Sequence, residues 1–325
     1  MRSPRPLRIG TRASALALWQ TEHVRTQLRK AGLETERIEL KTTGDLAPDI
    51  PLSQLGSRAI FTKQIDDALI QERIDLAVHS LKDLPTELPQ GISIAAIGVR
   101  EDPRDALVSR QHLGFDQLPR DAVLATSSLR RRAQLLHHRP EMRIVELRGN
   151  VDTRLAKLDG HQEWNAIVLA TAGLVRLGLE YRIGERLSPE VMLPAPGQGA
   201  LAVTVRVEDV SLAAGVRQAI HDPATAIAVA AERSFLRRLE GGCQVPVAAF
   251  AQLDSHHNDS RLRLDGRVIA LDGSSMIEGH DVEAVRDEES AAALGAALAE
   301  RLLARGADTV LAEARAAAAP RVTEP

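Results

Sequence analysis

"AVLATSSLRRRAQLLHH", residues 122–138, runs from an apolar stretch into a basic one through Thr126, Ser127 and Ser128. A short apolar run bounded by polar residues predicts a buried strand, and "SLRRRAQLLHH" predicts the helix that follows it. The same pairing recurs on both sides. "RIVELRG" leads into "NVDTRLAKL", and "AIVLATAG" leads into a short helix. Upstream, "PLRIG" (6–10) precedes Ser14 as an N-cap and a helical pattern through Leu28. "RIELKTT" (37–43) reads as a strand, "FTKQIDDALIQERI" (61–74) as a helix, and "DLAVHS" (75–80) and "GISIAAIGV" (91–99) as strands. Strand–helix alternation of this kind predicts α/β layers with largely parallel sheets.

Two Pro-, Gly- and charge-rich stretches, "EDPRDA" (101–106) and "LPAPGQGA" (193–200), suit paired crossings between two lobes. From Asp222 the pattern changes. "PATAIAVAAERSFLRRLEGG" predicts a long helix ending at Gly241–Gly242, since glycine tolerates the left-handed turn at a helix C-terminus. "QVPVAAFAQL", "RLRLDGRVIAL" and "SSMIEGHDV" then suggest an antiparallel α+β domain. Within the second, a central Asp-Gly flanked by alternating leucines predicts a hairpin turn. A last helix is expected from Glu288 to Arg305, and 314–325 as a disordered tail.

A chain of 325 residues exceeds one comfortable core, so two or three domains are expected. Four Phe, two Trp and one Tyr are too few for a single-stranded nucleic-acid platform built on base stacking. A net charge of −3 with no recognition motif argues against duplex DNA. One cysteine cannot make an internal disulfide, the apolar run Ala15–Trp19 is short for a signal sequence, and no stretch is long and apolar enough to span a bilayer. These features predict a cytoplasmic protein. Arginine outnumbers lysine 36 to five. A GC-rich genome explains that bias as well as function does, so the positions of the arginines matter more than their number.

Four stretches place polar groups at the ends of predicted strands, where open α/β sheets bind ligands. "GTRAS" offers Arg12 and Ser14, and "HSLKDLP" offers Ser80, Lys82 and Asp83. "TSSLRRR" and "LRGNVDTR" follow with the three hydroxyls, Arg148, Asn150 and Arg154. Each hydroxyl alone is explained as a helix cap, and each arginine alone as a solvated side chain. Together they read differently. Thr126–Arg154 carries seven arginines against three acids, and guanidinium forks hold carboxylate or phosphate bidentately. A ligand with several anionic groups fits that set. "APGQGAL" lacks the Gly-Lys-Ser/Thr ending of a phosphate loop. The pairs His137–His138 and His256–His257 lack metal-ligand spacing and read as surface, so no metal is expected.

Cys243 is the chain's single thiol, in "GGCQVPVAAFA" (241–251). A lone cysteine is commonly a small buried hydrophobe. Two preceding glycines also permit a tight loop that aims it into a cleft, and with no well-placed histidine base a hydrolase is disfavoured. Covalent attachment is the remaining functional reading.

The ordered set "RIGTRASALALWQ", "HSLKDLPT", "TSSLRRR", "LRGNVDTRL", "ATAGLVRLGL", "PAPGQGAL" and "GGCQVPVAAFA" resembles the hydroxymethylbilane synthase (porphobilinogen deaminase) family from about residue 7 to 312. The resemblance implies two periplasmic-binding-protein-like α/β lobes plus a smaller α+β C-terminal domain with an antiparallel sheet. Domain 1 would be discontinuous (1–99 and 197–218), followed in order by domain 2 (100–196) and domain 3 (219–313). It implies a dipyrromethane cofactor on Cys243 through a thioether. Four porphobilinogen molecules would add to it head to tail with loss of ammonia, and hydrolysis would release linear hydroxymethylbilane.

Asp83 matches the family's catalytic carboxylate, with Lys82 beside it as a cofactor contact. Ser80, Thr126, Ser128, Arg130, Arg131 and Arg148 match further cofactor contacts. Arg12, Ser14, Phe61, Ser127, Arg154 and Arg176 match substrate contacts. The resemblance also suggests a monomer. Where the family commonly has Gly-Lys-Gly-Leu-Phe, this chain has "SRAIF", with Arg58 and Ala59, a departure that bears on loop mobility. The alternative is a non-catalytic carboxylate-binding protein with a two-lobe cleft.

Overall fold

The computed structural model describes residues 5–41, 62–239, 245–254 and 261–318. Three sheets organise them. The first contains β1 (Leu7–Thr11), β2 (Thr35–Glu39), β3 (Leu76–Ser80), β4 (Ile92–Ile97) and a later strand, β10 (Leu201–Arg206), in the order β2-β1-β3-β10-β4. Strands β1, β2 and β3 are parallel, and β10 lies antiparallel to both of its neighbours. Helix α1 (Ala15–Lys30) starts at Ser14, whose hydroxyl accepts from the Ala17 amide at 3.3 Å, the cap expected of serine there. Helix α2 spans Lys63–Ile70.

The second sheet is built on the same plan from β5 (Asp105–Ser109), β6 (Val123–Ala125), β7 (Arg143–Val145), β8 (Ala166–Ala170) and β9 (Glu185–Arg186), ordered β7-β6-β8-β5-β9. Helices α3 (Leu129–His138), α4 (Val151–Gly160) and α5 (Thr171–Arg176) follow β6, β7 and β8. Two crossings join the lobes, from β4 to β5 and from β9 back to β10. The sheets are therefore mixed rather than largely parallel. In each, the strand that the chain enters after a crossing (β5 or β10) runs against its neighbours.

After α6 (Val210–Ile220), helix α7 (Pro223–Arg238) opens on Asp222, which accepts from the Thr225 amide at 2.8 Å, with proline at its first turn. It packs with α8 (Glu288–Leu303) on an antiparallel sheet of β11 (Val247–Asp254), β12 (Arg261–Ile269) and β13 (Met276–Ala284).

Here a sequence expectation fails. "RLRLDGRVI" is one uninterrupted strand paired on both sides, not a hairpin turning at Asp265–Gly266. Gly266 is required by packing: a Cβ there would stand 2.6 Å from Phe235 Cζ, so the strand gives up a side chain to admit the ring. The expected tail is also corrected. Helix α9 (Ala307–Ala318) covers 314–318 of it, with Ala307 and Leu311 in the domain core and Ala314 buried on the same helix, while 319–325 lie outside the described residues. His137, expected at the surface, is half-buried and donates from Nδ1 to the Gly273 carbonyl at 2.8 Å. Among the described residues no helix is long and apolar enough to cross a membrane.

Candidate active site

Strand β3 delivers Ser80 and then a single 3-10 turn, Leu81–Asp83. Leu81 is fully buried and its amide donates to the Ala200 carbonyl at 3.0 Å, which pins the turn. Lys82 and Asp83 project from it. Asp83 lines a small cavity of about 60 Å³ with Arg12, Ser14, Gln20 and Ser80, so the first strand's end and the third's meet. Ser80 accepts a hydrogen bond from Gln20 Nε2 at 2.9 Å. Lys82 donates from Nζ to Gln198 Oε1 at 3.1 Å. Burial, with the charge of Arg131 beside it, pushes the Lys82 ammonium down to about 8 against the pull of Asp83 and Asp105.

The second lobe supplies the cations. Ser127 ties the strand ends together, donating to the Leu147 carbonyl (2.9 Å) and accepting from its amide (3.0 Å). Ser128 caps α3 by accepting from the Arg131 amide at 3.4 Å, and Thr126 Oγ1 accepts from the Ser128 amide at 3.2 Å. All three hydroxyls thus have partners within the chain.

Arg130 and Arg131 are buried and converge on Asp105, which has no solvent exposure. Arg130 reaches Asp105 Oδ2 at 2.8 Å and the Leu193 carbonyl at 2.8 Å. Arg131 reaches Asp105 Oδ1 through Nε at 2.9 Å and Nη2 at 2.7 Å, and donates from Nη1 to the Val168 carbonyl. Burial alone would raise the Asp105 pKa; the two guanidinium charges overcome it and hold the carboxyl well below the usual carboxylate range.

Three further arginines are poised differently. Arg154 donates from Nε to the Gly149 carbonyl at 2.7 Å. Burial first, then Arg131 and Arg148, pull it down to about 10, with Asp83 opposing. Arg176 donates to the Gly199 carbonyl at 2.6 Å, and its guanidinium lies 5.8 Å from the Trp19 ring centroid. Burial pulls it to about 10 against Glu101. Arg148 keeps a buried Nη1 without a hydrogen-bond partner.

Lys82 thus has Asp83 and Asp105 as acidic neighbours, Arg130 and Arg131 have Asp105, and Arg154 has Asp83, while Arg148 adds a further positive charge beside Arg154. Buried cations in excess of anions are costly unless something negative joins them. The orphaned Arg148 nitrogen and the surplus of charge fit a carboxylate-bearing group. Cys243 and Phe61, like Arg58 and Ala59, lie outside the described residues.

Sequence reasoning missed Asp105, Gln198 and Gln20. Asp105 sits in "EDPRDA", read only as a crossing, and Gln198 in "PAPGQGA". A useful signal was the acid placed directly before the apolar "ALV" of β5, where a carboxylate entering a buried strand needs a partner.

Comparison with known proteins bears on the site. Residues 7–214 match the family described as porphobilinogen deaminase, dipyromethane cofactor binding domain, and 226–304 match the porphobilinogen deaminase C-terminal domain. A porphobilinogen deaminase of Syntrophotalea carbinolica is 50% identical over 308 residues, covering 94% of this chain and 95% of that protein. One from Rubrobacter xylanophilus is 51% identical over 304 residues, covering 93% and 95%. Among solved structures, the methionine-binding protein MetQ is 14% identical with a TM-score of 0.41, covering 67% of this chain and 90% of that one.

Proposed function

The chain belongs to the porphobilinogen deaminase family, and from that premise we propose how its own residues divide the work. The reaction is the family's: four porphobilinogen molecules condense head to tail with loss of ammonia, and hydrolysis frees linear hydroxymethylbilane. When bound, the dipyrromethane supplies the pyrrole terminus on which that chain is begun. Cys243 is its anchor in this proposal, on the sequence match of "GGCQVPVAAFA".

Asp83 is the acid–base group. Ammonia leaves only if the amine is protonated, and its departure leaves positive charge on the substrate. A carboxylate facing that charge can move the proton and stabilise the cation. Lys82, at about 8, is a cation at neutral pH and can pair with an acetate or propionate beside Asp83. Arg130 and Arg131 set the positive potential of the inner wall, and Arg148 and Arg154 present forks to the carboxylates of the growing product. Arg12, Ser14, Ser80 and Gln20 gather around the Asp83 cavity, and Arg176 guards the crossing at Gly199. Phe61, Thr126, Ser127 and Ser128 complete the proposed contacts, the three hydroxyls by fixing the turns that aim the arginines.

The observation that carries the proposal is the position of Asp83, whose charge acts on Lys82 in its own lobe and on Arg154 in the other. Asp83→Asn is the test. It should retain the fold and the bound cofactor but lose about 100-fold or more in turnover. Turnover near that of the unsubstituted enzyme would remove Asp83 from the role. Family membership disfavours the non-catalytic carboxylate-binding alternative.

Strand membership supports the proposed domains: the first sheet draws on 7–97 and 201–206, the second on 105–186 and the third on 247–284. We also propose a cytoplasmic monomer, on the family resemblance, that binds no nucleic acid, the last supported by the small net charge and the scarcity of aromatic residues. Light scattering and a nucleic-acid titration check it.

A further inference from the structure

Gln198 is fully buried on the return crossing between the second lobe and the first. Its side chain meets three segments at once. Nε2 donates to the Pro103 carbonyl at 2.7 Å and to Asp105 Oδ1 at 3.2 Å, while Oε1 accepts from Lys82 Nζ at 3.1 Å. The Gln198 backbone is held as well, its carbonyl accepting from Arg100 Nε at 2.9 Å and its amide donating to the Ala195 carbonyl at 2.9 Å.

This arrangement allows one amide orientation. Rotating the group would set its NH₂ against an ammonium and its oxygen against a carbonyl and a carboxylate, all repulsive. The amide therefore always offers Lys82 an oxygen. The same Asp105 that fixes the amide is clamped by Arg130 and Arg131, so the arginine pair and Lys82 are joined through two side chains, Asp105 and Gln198. The charged groups acting on Lys82 are Arg130 and Arg131, which disfavour its proton, and Asp83 and Asp105, which favour it. A hydrogen-bond acceptor on the ammonium adds to the second set.

We propose that Gln198 is a positioning residue for Lys82, holding the ammonium charged and aimed beside Asp83 and linking it to the Asp105–arginine cluster across the crossing. The proposal rests on the reading of Lys82 and Asp83 as the working pair. It gives the crossing a part in the reaction: a movement of the lobes that shifts Pro103 or Asp105 changes the acceptor offered to Lys82.

The test is the titration of Lys82 in the full chain, followed by NMR of ¹³C-labelled lysine. The chain has five lysines, so the Lys82 signal is identified by its loss in Lys82→Met. Gln198→Met keeps the side-chain length and removes the oxygen. It should lower the Lys82 midpoint by about one pH unit, the size expected when a charge-assisted hydrogen bond is lost. The alkaline limb of the kcat/KM profile should move with it. Gln198→Glu keeps an oxygen facing the ammonium and adds a negative charge, although its second oxygen then faces the Pro103 carbonyl and Asp105; the Lys82 midpoint should hold at or above its original value.

Should Gln198→Met not fold, Gln198→Asn withdraws the amide by one methylene and should show the same fall. A midpoint unmoved in the Met or Asn variant overturns the proposal, as does an equal fall in Gln198→Glu. Either result would mean that Gln198 only packs the crossing. The NMR readout needs no turnover, so its failure is separable from failure of the role given to Asp83.

Discussion

Asp105 holds Arg131 by two contacts to one carboxylate oxygen, Nε at 2.9 Å and Nη2 at 2.7 Å, with neither residue open to solvent. Arg130 closes on the same carboxylate from the preceding position of α3. One acid thus locks two adjacent guanidinium groups that a solvated helix would let wander. Rigid cations pay less ordering entropy when an anion arrives. In the proposed site, these two cations would be fixed before the substrate enters.

Asp105→Asn leaves two buried arginines without their counter-charge and should destabilise the protein by about 3–5 kcal/mol. Denaturant unfolding of the purified variant measures this; a change below about 1 kcal/mol would mean that water or movement already screens the cluster. The pH dependence follows from the direction of the shift. The folded carboxyl lies below its unfolded value, so the cluster's contribution is complete above roughly pH 4 and is lost only as pH falls toward the folded value. Stability between pH 5 and 8 should not reflect this group.

Arg131→Leu and Arg148→Leu should separate stability from ligand handling. Arg131 has Asp105 to abandon, so its loss should cost about 3 kcal/mol. Arg148 has a buried Nη1 with nothing to abandon, and its loss should cost about 1 kcal/mol or less. Both should alter the ladder of intermediates on a native gel. A stable Arg148→Leu with an unchanged ladder would show that its guanidinium does not meet the product.

The sequence disclosed the strand ends well, because capping hydroxyls and clustered arginines mark them locally, as at Thr126–Arg131. It did not disclose Asp105 or Gln198. A lone acid in a Pro-rich loop and a glutamine between glycines look like turn residues, and their partners are distant in the chain. The Asp265-Gly266 pair misled for a related reason. Its glycine serves Phe235 on a helix about thirty residues away, and no local pattern distinguishes that use from a hairpin. The buried face of α9 was hidden by its alanines, which look the same in a frayed tail as in a packed stripe.

Gly266→Ala tests that packing. The added methyl meets the Phe235 ring at 2.6 Å, so the third domain should lose about 1–3 kcal/mol through overpacking. The double variant Gly266→Ala with Phe235→Leu should recover part of the loss. Additive losses would place the strain elsewhere.

The proposed reaction requires a polyanionic chain tethered through Cys243 within reach of these arginines. Intact mass of the purified, active protein addresses this most directly. It should exceed the mass of the bare polypeptide by two condensed pyrrole units, and Cys243→Ser should return it to the bare value. Active, full-length protein of unmodified mass would contradict the account.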